Sequence, residues 1–153
     1  MKNNRQYHNM THVSRFDSVK RLEPYVDNSR MKDGYESWRV VGGISFSFKQ
    51  NGNRIDVNIP NYFVTIGPII PFNLSRNMAM NDPVFKAGIF HDYLCYKLKL
   101  RVNGEVEKIT KSVADDVFLK IMKELKVPMH RRYFYFILSK FKKYPDPKQS
   151  FLF

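Results

Sequence analysis

Between Ile44 and Pro60 the chain alternates apolar and polar residues on both sides of a polar tetrad. Ile44, Phe46 and Phe48 lead into Gln50-Asn51-Gly52-Asn53, and Ile55, Val57 and Ile59 lead out of it. Alternation flanking Asn-Gly predicts a β-hairpin with its turn at Asn51-Gly52. One face would be buried; the other would carry Ser45, Ser47, Arg54, Asp56 and Asn58. Gly42-Gly43 marks a bend or bulge between a preceding strand at Trp38–Val41 and this hairpin. The period then changes. After "NYFVTIGPIIPFNLSRNMAMNDP", which Gly67-Pro68 and Pro71 turn into an irregular buried connection, Asn81 or Asp82 can cap a helix whose first residue is Pro83. Val84, Ala87, His91, Leu94, Cys95 and Leu98 share one face of that helix. Residues 98–110 form a short hairpin around Asn103-Gly104 or a plain connection. Thr110 or Ser112 opens a second helix with Val113, Val117, Ile121 and Leu125 on its stripe. Beyond Pro128 a third helix places Tyr133, Phe136, Ile137, Phe141 and Tyr144 along its core-facing side. The fold class is α+β: a small antiparallel sheet packed with about three helices.

Residues 1–36 break this regularity. Their apolar positions, Tyr7, Met10, Val13, Phe16, Val19 and Leu22, fall three apart, a spacing that drifts around a helix and allows at most a short one over 16–22. They are expected to form an extended N-terminal arm ahead of a single α+β domain over 37–153. No run approaches the ~20 apolar residues of a membrane span, and the polar start "MKNNRQYHNM" is not a signal peptide. The single cysteine, Cys95, excludes an internal disulfide and a Cys-rich zinc site.

Charge narrows the partners. The net charge is +12, and residues 96–148 hold fourteen Lys/Arg against six Asp/Glu. The third helix interleaves Arg131, Arg132, Lys140, Lys142 and Lys143 with aromatics. This basic face suits DNA or an acidic protein surface; it equally suits an amphipathic core helix with its lysines at the negative end of the dipole. Without Walker, GxGxxG or GxSxG motifs, nucleotide hydrolysis and serine-esterase chemistry lack support.

Chemistry concentrates in "GIFHDYLCY". His91 and Asp92, joined by Asp115 or Asp116 from "SVADDVF", could bind a divalent metal, the one cofactor these residues suggest. A hydrolytic site needs three such ligands and an open position for water. Equally, His91 and Asp92 could be a clasp reaching Asp115 across two helices, with no cofactor at all. Cys95 stands one turn after His91, within thiol–imidazole reach, or is simply a small core residue.

The order of these segments resembles a family of small phage-encoded proteins of unknown function, over about residues 38–141. The family pattern is a GF-x-TD-x-A-S-x-P segment, an HDYLY helix and an AD-x-x-F helix. Phe63, Thr65 and Pro71 match the first, His91, Asp92, Tyr93 and Leu94 the second, and Ala114, Asp115 and Phe118 the third. Ile66 and Ile69 stand where the pattern has its Asp and Ser, and Cys95 where it has a second Tyr. The resemblance implies phage origin, and the two isoleucines imply that a polar pocket has become apolar. The expectation is a non-enzymatic virion or assembly component, in the virion or the host cytoplasm, whose partners are other virion proteins, further copies of itself or nucleic acid. The alternatives are a metal-dependent hydrolase of lysis or nucleic-acid type using His91, Asp92 and Asp115, and a cytoplasmic DNA-binding or host-defence-blocking protein.

Overall fold

The computed structural model describes residues 15–16, 21–25, 37–65 and 81–141. Its elements run β1 (Arg15–Phe16), β2 (Arg21–Tyr25), β3 (Ser37–Val41), β4 (Ile44–Gln50), β5 (Asn53–Ile59), β6 (Val64–Thr65), α1 (Pro83–Lys97), β7 (Lys99–Val102), β8 (Glu105–Lys108), α2 (Lys111–Glu124) and α3 (Met129–Phe141). The fold is α+β, with two antiparallel sheets where the sequence suggested one: a five-stranded sheet in the order β1-β4-β5-β7-β8 and a three-stranded sheet in the order β2-β3-β6. Among the described residues, no helix is long and apolar enough to cross a membrane.

Both Asn-Gly pairs make two-residue hairpins. Asn51 and Gly52 adopt φ of 51° and 79°, and Asn103 and Gly104 adopt 49° and 89°. Positive φ at both central positions matches the right-handed twist of the flanking strands. The β4–β5 register pairs Ile44 with Ile59, Phe46 with Val57 and Phe48 with Ile55, so all six side chains share one buried face. Gly42 and Gly43, with φ of 90° and 70°, make the bend that separates β3 from β4.

That buried face receives α1. Asp82 caps the helix by accepting a hydrogen bond from the Val84 amide (2.8 Å), with Pro83 in the first turn. Phe90 meets Phe46 at a ring separation of 5.7 Å. Ten of the fifteen α1 residues are buried, and the side that carries Lys86, Tyr93 and Lys97 is the more open one, because α1 lies between the sheet and α2. Thr110 caps α2 through the Val113 amide, and Ala114, Val117, Phe118, Ile121 and Met122 face the core. Val113, expected on that stripe, is exposed instead.

Two expectations are corrected. The short helix allowed over 16–22 is not what its described ends form: Phe16 pairs with Phe46 and Leu22 with Val40 as strands, while 17–20 lie outside the described residues. Backbone ladders with β4 and β3 outweigh an ill-phased helical pattern. The second concerns α3, whose stripe at Tyr133, Ile137 and Phe141 faces outward; its buried residues are Tyr135 and Ser139. Tyr144, the tail, residues 66–80 and most of the N-terminal arm lie outside the described residues.

The bend gives a test by comparison. A Cβ on Gly43 would stand 3.0 Å from the Ile59 carbonyl oxygen at φ of +70°, whereas one on Gly52, at φ of +79°, would meet nothing within 4 Å. Gly52→Ala should therefore cost about 1 kcal/mol, the left-handed penalty alone, and Gly43→Ala about 2–3 kcal/mol. Urea denaturation midpoints of the two variants measure the difference.

Candidate functional site

Adjacent residues on a helix point about 100° apart, and this divides His91 from Asp92. His91, on the α2 side of α1, brings Nε2 to 2.7 Å from Oδ1 of Asp115. Its ring stacks on Phe118, one turn after Asp115, at 4.5 Å between centroids. A carboxylate can only accept, so Nε2 carries the proton and donates. Asp92 turns toward β6, where its Oδ2 accepts from Thr65 Oγ1 at 2.7 Å. The adjacent pair thus ties α1 to two different layers, and Asp92 does not reach Asp115.

Asp115 is the centre of the cluster. Its side chain is 2% exposed. Lys111, four residues earlier on α2, donates to Oδ1 at 3.2 Å and Oδ2 at 2.9 Å, and also to the Ser139 carbonyl of α3 at 2.7 Å. Lys140 of α3 places Nζ 3.6 Å from Oδ2. One carboxylate therefore gathers groups from all three helices. Burial by itself would raise the Asp115 carboxyl, but the hydrogen bonds and charges of His91 and Lys111 outweigh it and hold the group below its ordinary value of 3.8.

Cys95 completes a set with metal-ligand chemistry. Its Sγ lies 3.5 Å from His91 Nε2, and the ligand atoms of His91, Cys95 and Asp115 all lie within 4.8 Å of one another, all three residues buried. The arrangement cannot serve as a cysteine–histidine–aspartate relay. Such a relay holds thiol and carboxylate on opposite ring nitrogens, whereas here both meet Nε2. Convergence on one point suits a thiophilic divalent ion such as zinc. It also makes a clasp that is already neutralised, because the Lys111 ammonium sits on the same carboxylate.

Of the expected metal set, then, the structure brings His91 and Asp115 together, adds Cys95, and directs Asp92 to Thr65. The basic face is divided as well. Arg131 bonds Asp82 at 3.0 Å, Arg132 is half-buried, Lys140 turns toward Asp115 and over the Phe136 ring, and Lys142 and Lys143 lie outside the described residues. Sequence reasoning about the site missed Lys111, although the i, i+4 spacing to Asp115 announces the pair. It also missed Ser139, a small polar residue in an aromatic helix.

A family model described as a protein of unknown function (DUF1353) matches residues 38–138. The chain belongs to the DUF1353 family. The match spans β3 to α3 and so contains Thr65, His91, Asp92, Asp115 and Lys111. No curated protein and no solved structure matches this DUF1353 chain. The family description assigns no activity, so the chemistry of the site is argued from the residues alone.

Removing the carboxylate while keeping its shape tests the clasp. Asp115→Asn leaves two ammonium groups and an imidazole around a buried amide and should lower stability by about 3–5 kcal/mol, read from urea denaturation. Acid sensitivity provides a second readout. Because the folded carboxyl titrates below 3.8, the unfolded chain takes up the proton first as pH falls. The Asp115 contribution is complete above about pH 5 and is lost as pH drops through the folded value. Unfolding free energies from pH 7 to pH 3 should fall less steeply below pH 4 for Asp115→Asn than for the parent.

Proposed function

We propose that the protein is a non-enzymatic phage component, a virion or assembly protein that works by docking onto other subunits. One observation carries this: α3 presents a contiguous apolar face to solvent. Met129, Tyr133, Phe134, Ile137 and Phe141 are between 47% and 80% exposed. Single exposed apolar residues are ordinary, but five on one arc of one helix mark an interaction surface. The outer arc of α3 carries no carboxylate. The phage setting comes from the family resemblance, with residence in the virion or, during assembly, the host cytoplasm. A free N-terminal arm does not support this reading, since β1 and β2 pair with the protein's own β4 and β3; the outer face of α3 does.

The sealed cluster supports the non-enzymatic half. Catalysis at His91 and Asp115 would need a position open to substrate or water, and both side chains are no more than 5% exposed. A second reading keeps a metal-dependent hydrolase, supported by the convergence of His91, Cys95 and Asp115. A third, DNA binding, draws only on the net charge of +12.

Quantitative mass spectrometry of purified phage particles separates these readings. The proposal expects the protein at a fixed copy number per particle. Its absence from particles, combined with a cobalt(II)–thiolate absorption band from the purified chain, favours the metal reading. Its absence, combined with salt-sensitive binding to mixed-sequence DNA, favours the third.

A further inference from the structure

The outer face of α3 has a pattern that identifies its partner. Met129, Tyr133, Ile137 and Phe141 recur every four residues along about 18 Å of helix, with Phe134 beside them. We infer that this face pairs with the same face of a second copy, the two α3 helices running antiparallel about a two-fold axis level with residue 135. The inference rests on the docking role proposed above and names its partner.

Antiparallel symmetry makes the stripe complementary to itself. Met129 lies as far before residue 135 as Phe141 lies after it, and Tyr133 as far before as Ile137 after. Each copy therefore lays a ring against the other's Met or Ile twice, as an isologous interface requires. Parallel pairing would instead set each residue against its twin, ring on ring and Ile on Ile.

Charge argues against an acidic partner. Arg131 is spent on Asp82 and Lys140 leans on Asp115 and Phe136. The outward arc offers rings and aliphatics with His130 near its start and Lys140 near its end, and in the antiparallel pair those two stand opposite each other. Apolar burial must therefore hold the pair together against the chain's net charge of +12.

The area sets the strength. Five side chains at this exposure bury on the order of 500 Å² per copy, near 1,000 Å² in total, at the low end of specific interfaces. An interface of this size fits a weak, reversible dimer. Added salt should tighten it by screening the positive charge, the opposite of what binding to DNA or an acidic protein would show.

Sedimentation of the full-length chain across micromolar concentrations tests this. The expected result is a monomer–dimer equilibrium that shifts toward dimer between 50 mM and 500 mM salt. Ile137→Lys should weaken it about a hundredfold, with the far-ultraviolet circular dichroism unchanged because the residue is exposed. Val106→Lys, which alters an exposed apolar residue on β8, should leave it intact. Oxidising an equal mixture of Tyr133→Cys and Ile137→Cys chains should give more mixed dimer than either chain gives with itself. A chain that stays monomeric throughout overturns the pairing, its own tail or a different protein then being the cover for α3. Dimers that survive Ile137→Lys also overturn it, as does a preference for like-with-like disulfides. A monomer found at fixed copy number in particles would sink the pairing and spare the assembly role; a dimer absent from particles would do the reverse.

Discussion

The buried carboxylate of Asp115 is the constraint on which the helical half of the molecule depends. An ionised group at 2% exposure is tolerable only if its charge is met and its lone pairs are filled. The groups that meet it come from different helices: His91 from α1 and Lys111 from α2 as hydrogen-bond partners, and Lys140 from α3 as a nearby charge. Satisfying one acid therefore fixes how three helices lie. The Lys111 ammonium adds a second condition by donating to the Ser139 carbonyl, which brings that side of α3 against α2.

This condition has a consequence at the opposite side of α3. With Tyr135 and Ser139 turned inward, and Arg131 anchored to the Asp82 cap of α1, the positions half a turn away must face out. Those positions hold Met129, Tyr133, Ile137 and Phe141. The polar clasp and the apolar outer face are thus two results of one orientation. Arg131, Lys140 and Ser139 are thus engaged with their own domain, while the apolar side stays exposed.

Local rules made much of this fold legible in the sequence. Asn51-Gly52 between alternating strands placed the first hairpin, Asn103-Gly104 offered the second as one of two options, and Asp82-Pro83 placed the start of α1. These signals work because turn geometry and helix caps involve only neighbouring residues. The misses share a different cause. Periodicity identifies the apolar side of α3 but not whether that side faces the core, since the answer lies with Asp115, Lys111 and Asp82 on other elements. Likewise the segment around Phe16 and Leu22 became strand because β4 and β3 offered it ladders. In the candidate site, His91 and Asp115 were visible as a pair across helices. Asp92 went elsewhere because one residue of helix turns it toward Thr65, a partner that the family-like segment contained but whose location no spacing rule supplies.

Ile66 and Ile69 take the places of an acid and a hydroxyl in the pattern that the sequence resembles, and Cys95 takes the place of a tyrosine. Thr65, His91, Asp92 and Asp115 match that pattern, and these are the residues that join α1 to β6 and to α2. The matching residues are thus a set that holds elements together. The same set helps to orient α3, because Lys111 bridges the Asp115 carboxylate and the Ser139 carbonyl.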